Sequence, residues 1–203
     1  MKRGIFILFM LFLCNLTGLK AQFESQISQY WAIPNFFNPG YAGSSGKLDI
    51  SAHARLQWIG VEGAPKTVSV LAEMPWTFLG KEHGIGASMY NDRIGLFSNS
   101  VMSLQYAYKL KVGKGTLGIG LQGGYISSSF MADSIYIPGE DTPTSIPTGK
   151  MSGNSIDAGA GLYFYTKKLY VGLSAMHIVS PTIELNERYG YKAPRSYYFT
   201  AGY

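Results

Sequence analysis

The chain has 203 residues, with 25 glycines, 15 tyrosines, a single cysteine and only 14% charged residues. Its formal charge of +5 overstates its basicity. Of 17 basic residues, Lys2, Arg3 and Lys20 fall in the first 21 positions, which leaves 14 against 12 acidic ones, near +2. That balance excludes a polybasic nucleic-acid footprint, and the lone Cys14 excludes a disulfide framework, a cysteine metal cluster or a thiol nucleophile downstream.

Residues 1–21 read as a secretory signal peptide: basic Lys2 and Arg3, an apolar run from Gly4 to about Leu13, and a cleavage position after Ala21. The apolar run is too short for a permanent membrane helix. Export without cysteine suits a bacterial envelope protein better than a disulfide-stapled secreted domain. Residues 22–47 follow as an irregular periplasmic leader or plug, broken by Pro34, Pro39, Gly40, Gly43 and Gly46. Its turns are expected at Asn38-Pro39 and Ser45-Gly46.

From residue 48 to 203 the pattern has a period of two. Leu48, Ile50, Ala52, Ala54, Leu56 and Trp58 alternate with Asp49, Ser51, His53, Arg55 and Gln57, as a strand with one apolar face requires. Val68, Val70, Ala72 and Met74 repeat the pattern, as do Ile85, Ala87 and Met89, and then Met102, Leu104, Tyr106, Tyr108 and Leu110. A fifth segment, GTLGIGLQGGY, contains a formal G-x-G-x-x-G at Gly118, Gly120 and Gly123. A dinucleotide loop would need a helix starting inside the motif and an acid about twenty residues on. Here the glycines continue a strand, so they are expected to let the wall pack tightly. SIDAGAGLYFY, LYVGLSAMH and SYYFTAGY complete about eight strands, with no amphipathic helix between them.

The connections alternate in length. Val112–Gly115 and Thr166–Lys168 are short, and the turn near Trp76 to Glu82 is intermediate. Ile59–Lys66, Asn91–Asn99, Ser128–Asn154 and Ile178–Arg195 read as long loops. Short turns on one side and long loops on the other predict an all-β, antiparallel transmembrane β-barrel of the outer-membrane type, its short turns in the periplasm. Its outer face would be aliphatic, with Trp58, Tyr106, Tyr108, Tyr125 and Phe164 toward the strand ends. Its inner face would be polar, with ion pairs among Asp49, Arg55, Glu73, Lys109 and Asp157.

His53, His83 and His177 lie in or beside different strands, without metal-ligand spacing. The expected role is lumen hydrogen bonding. No nucleophile elbow accompanies them, so neither catalytic, cofactor nor metal residues are assigned. A barrel hydrolase using His53 is the enzymatic alternative, and a soluble β-sandwich is the alternative fold.

Several segments together resemble the PorP/SprF family of the type IX secretion system. SQYWAIPNFFNPGYAGSSG is similar to the family's leader, through Asn38, Pro39, Tyr41, Ala42 and Gly43. RLQWIGVEGAPKTVSV matches a second block, through Arg55, Gln57, Trp58, Gly60, Gly63, Ala64, Pro65 and Thr67. GIGASMYNDRIGLFS resembles a third, through Gly84, Gly86, Asn91, Asp92 and Gly95. The resemblance implies a non-enzymatic outer-membrane component acting as scaffold or cargo anchor. Its expected partners are type IX envelope proteins, secreted adhesin cargo of gliding bacteria, and outer-membrane lipid. A small transport or diffusion barrel is the alternative. Members of that family are usually longer, so the resemblance also implies either a fragment ending after a strand or a short variant.

Overall fold

The computed structural model describes residues 27, 29–131, 149–186 and 190–203. Residues 1–21, read as a signal peptide, and 132–148 of the expected Ser128–Asn154 loop lie outside them. The leader forms a 3-10 turn at Tyr30–Ala32, one turn of helix α1 at Pro34–Phe37 and a second 3-10 turn at Pro39–Tyr41. Among the described residues ten strands follow: β1 Asp49–Leu56, β2 Lys66–Phe78, β3 Lys81–Ile94, β4 Phe97–Val112, β5 Gly115–Met131, β6 Lys150–Tyr165, β7 Tyr170–Met176, β8 Thr182–Glu184, β9 Gly190–Lys192 and β10 Ser196–Gly202.

Eight of these strands make one antiparallel sheet in the order β1-β2-β3-β4-β5-β6-β7-β10, curled into a half-barrel. β8 and β9 pair separately as a hairpin. β4, β5 and β6 run 16, 17 and 16 residues, well beyond the about 9–11 residues a tilted strand needs to cross a bilayer. Among the described residues no helix is long and apolar enough to cross a membrane.

The two faces reverse the arrangement of a soluble protein. Leu104, Leu121 and Ile156 are 72%, 62% and 76% exposed, whereas Glu73, Gln105, Lys109 and Asp157 on the other face are buried. Apolar residues displayed in bulk on a regular face, with polar ones enclosed, is the pattern of a wall that meets lipid outside and a polar interior within.

The all-β, antiparallel expectation holds, with eight strands in a curled half-barrel sheet whose edge strands β1 and β10 pair with β2 and β7. Three expectations change. Asn91–Asn99 is not a loop. β3 and β4 run through it to a two-residue turn at Gly95-Leu96, with Asn91, Asp92 and Asn99 in the ladder. The turn near Trp76 is likewise tight, since Phe78 pairs with Lys81 around Leu79 and Gly80, whose φ values are 50° and 71°. Two successive positive φ values suit the twist of a two-residue hairpin. Finally, the stretch 178–195 contains the β8–β9 hairpin, which folds back over the inner face; its Ile183 packs with Ile126 and Ala193. The end alternation survives in part: connections 79–80, 113–114 and 166–169 lie at one end of the sheet, whereas the loop 57–65, the short turn 95–96, the end of β5, the start of β6 and the end of β7 lie at the other.

Candidate functional site: the leader on the inner face

The segment from Pro34 to Ser45 lies against the inner face of the half-barrel, running from its middle toward the short-turn end. Asn38 is the pivot. Its Nδ2 donates to the carbonyls of Leu162 (3.0 Å) and Leu173 (3.3 Å), bridging β6 and β7. Its Oδ1 accepts from the Gly40 amide at 2.9 Å and caps the following 3-10 turn. Pro39 supplies the fixed φ and missing donor suited to the first position of that turn.

Side chains from the wall satisfy the leader's backbone. Lys109 Nζ donates to Gly40 O (3.0 Å), Tyr41 O (3.3 Å) and Ser44 Oγ (2.7 Å). Glu73 Oε2 accepts from the Gly43 amide at 2.9 Å. Gln105 donates to Asn35 O at 3.0 Å, and Ser174 to Phe37 O at 2.6 Å. A segment without regular partners is thus held by charged and amide groups, which make the stronger hydrogen bonds. Of the charges expected to pair with one another, Glu73 and Lys109 attract each other but direct their hydrogen bonds to the leader. Asp157 pairs with His177.

The inner-face glycines are the floor on which the leader rests. A Cβ on Gly84 would overlap Ala42 O, one on Gly118 would overlap Gly40 O, and one on Gly120 would overlap Pro39 and Gly40. At Gly161 it would strike Asn38 Oδ1. The expectation that these glycines only tighten the wall is therefore corrected: two glycines of the formal fingerprint do cradle a ligand, and that ligand is the chain's own Pro39-Gly40. Gly123 faces outward, with nothing within 4 Å of an added Cβ. Tyr41 packs edge-on against Tyr163, ring centroids 5.1 Å apart. Burial pushes its phenol up to about 12, and the Glu73 and Asp49 carboxylates add to the shift, so the ring stays neutral.

The second and third blocks meet each other at the opposite end. Arg55 faces inward at the end of β1, opposite Thr67. The Gln57 amide donates to Pro65 O at 3.1 Å, closing the loop 57–65 at its base. Gly60 and Gly63, at φ 97° and 71°, make its bends, and the Gly95 amide donates to Gly63 O at 2.8 Å, tying this loop to the next hairpin. Thr67 donates to buried Asp92 at 2.6 Å, and Asn91 to Ser100 at 2.7 Å. Trp58, Ile59 and Val61 stand out at 70%, 83% and 61% exposure. The structure therefore joins blocks two and three at the long-loop end and places Asn38, Pro39, Tyr41 and Gly43 apart from them, along the inner face.

The sequence matches the family described as type IX secretion system membrane protein PorP/SprF over residues 19–203. The chain belongs to the PorP/SprF family. No curated protein and no solved structure matched it. This PorP/SprF chain is accordingly a membrane component of type IX secretion.

Reading the sequence missed several residues of the PorP/SprF leader seat. Gln105 and Ser174 belong to no motif that the sequence singles out, and Gly118 and Gly120 were expected only to let the wall pack tightly. A repeated side-chain gap at one parity on neighbouring strands was the available signal. The histidines also separate. His83 is not inward: it sits on the outer face among Trp76, Phe78, Tyr106 and Tyr108, its Nδ1 2.7 Å from the Tyr106 hydroxyl. His177 Nδ1 lies 2.9 Å from Asp157 Oδ2, both buried, beside a cavity of about 50 Å³ walled by Phe36, Tyr90, Gln122 and Met176. His53 faces Ser69 across β1–β2. No group of three His, Cys, Asp or Glu that could hold a metal occurs among the described residues.

Proposed function

We propose that this protein is an outer-membrane component of type IX secretion that works by binding other proteins, as a scaffold of the machine or an anchor for secreted adhesins of gliding cells. It is exported by a cleaved signal peptide at residues 1–21, residues 22–47 act as a plug, and the strands of residues 48–203 form the membrane wall. The observation that carries this reading is the seated leader. Pro39, Gly40 and Ala42 are buried where a channel would run, and charged wall residues spend their hydrogen bonds on the leader backbone. Such an interior suits a wall that presents its ends to partners, and it disfavours the small transport or diffusion barrel. The partner surface is the long-loop end, where Trp58, Ile59 and Val61 protrude on a glycine-bent loop braced by Gly63 and Gly95. An exposed aromatic anchor of this kind is what protein interfaces favour at their centres.

The test is affinity isolation of the protein, tagged within residues 132–148, from outer membranes in mild detergent. Type IX envelope proteins or a large secreted adhesin should accompany it, and Trp58→Ala with Ile59→Ala should reduce that recovery severalfold without lowering its level in the membrane. Recovery of the protein alone, together with steady conductance in planar bilayers, would favour the transport reading.

A further inference from the structure

The short-turn end carries a charge pattern that the leader seat and the partner surface do not use. Lys81 follows the 79–80 turn, Lys111 and Lys114 flank and occupy the 113–114 turn, and Lys167 and Lys168 sit in the 166–169 turn. All five are exposed. The one acid among them is Glu82, paired with Lys111 at 2.7 Å. The three turns link alternate strand pairs, so they stand side by side about 10 Å apart, two strand spacings, and form a single cationic rim. The connections at the other end mix signs, as with Glu62 near Lys66 and Glu184 paired in register with Gly190 beside Lys192.

Just inside this rim, on the outer face, lies a dense aromatic patch. Trp76 and Phe78 stack at 5.4 Å, His83 fits between them and Tyr106, and Tyr108 packs alongside. Leu79 at the turn tip is 84% exposed and Trp76 46%. Amphipathic aromatic rings settle at headgroup depth, and lysine stems lie along apolar surface with the ammonium extended to the water side. A belt of rings capped by five ammonium groups, with Glu82 beside Lys111 as the one acid among them, is complementary to a phosphate layer above acyl chains.

From this we infer that the short-turn rim is a binding surface for anionic phospholipid headgroups, with Lys81, Lys111, Lys114, Lys167 and Lys168 engaging the phosphates of the adjoining leaflet. The inference rests on the membrane reading of the fold. It gives the protein a lipid preference at one end only and fixes which end meets the phospholipid leaflet.

A single-tryptophan variant, Trp31→Phe with Trp58→Phe, leaves Trp76 to report on this rim. The full chain is reconstituted into phosphatidylcholine vesicles containing either brominated phosphatidylglycerol or brominated phosphatidylcholine at equal mole fraction, and quenching of Trp76 is titrated. The expected result is about fivefold preferential association of the anionic lipid, the worth of one lysine near an anionic surface. The preference should weaken with added salt and vanish when the five lysines are changed to glutamine. Equal quenching by both lipids, or a preference that survives the five substitutions, would overturn the inference while leaving the membrane reading intact, and would point the lysines toward an acidic protein instead. Absence of quenching by either lipid would overturn both.

Discussion

Asn38 shows how much one amide can organise. Its two donor hydrogens reach carbonyls of different strands while its oxygen caps the next turn, so a single side chain joins leader, β6 and β7. Asn38→Ala would remove three hydrogen bonds, two to the wall and one to the Gly40 amide, and at about 1 kcal/mol each it should weaken the leader's seat by about 2–3 kcal/mol. Amide hydrogen exchange checks this: protection of residues 40–43 should fall in Asn38→Ala while protection in β4 and β5 is kept. At this scale the sequence is only half legible. Asn38-Pro39 announces a turn, but the Leu162 and Leu173 carbonyls that receive Asn38 are backbone groups, and no residue type marks them. Glu73 and Lys109 were visible as inward charges, and pairing them with other charges was the natural expectation. What overrode it is the need of an irregular buried segment to have its own amides and carbonyls met.

The strand β5 carries the clearest lesson at the level of the element. Gly118 and Gly120 face the leader and Gly123 faces out, all within one formal fingerprint. Gly120→Val should therefore displace Pro39-Gly40 and expose residues 38–45 to limited proteolysis, whereas Gly123→Val, with open space around it and higher strand propensity, should leave the cleavage pattern unchanged. Equal sensitivity of the two variants would contradict the leader seat. Alternation made the strands and their lipid-facing sides readable from Ile50 to Phe164. It failed at Asn91–Asn99, where Asn91, Asp92 and Asn99 have the composition of a loop but lie in the β3–β4 ladder: Asp92 and Asn99 face inward, bonded to Thr67 and Ser128, and Asn91 lies on the opposite face, bonded to Ser100. A polar interior erases the contrast between loop and strand on which such boundaries depend. The β8–β9 hairpin was missed for another reason: three-residue strands are too short to show a period.

At the scale of the whole molecule, the fold is a wall with reversed polarity, filled on its inner side by its own leader and by the β8–β9 hairpin, and edged by β1 and β10. Period-two patterning can reveal such a wall but says nothing about closure, because closure depends on which edges meet and not on which face is apolar. In hydrocarbon, unpaired edge groups are costly, so the free edges of β1 and β10 are where further pairing would be most favourable. The family's three sequence blocks acquire distinct places in this arrangement: the first inside, the other two together at the long-loop end. The central claim is that the leader is seated within the wall, and a pairwise cross-link tests it most directly. In a Cys14→Ser background, Tyr41→Cys with Tyr163→Cys, whose native rings lie 5.1 Å apart, should be joined by a short bismaleimide in intact membranes. Tyr41→Cys with Leu162→Cys, whose side chain faces the other way and is 44% exposed, should not. Efficient linkage of the second pair, or of neither, would contradict the account.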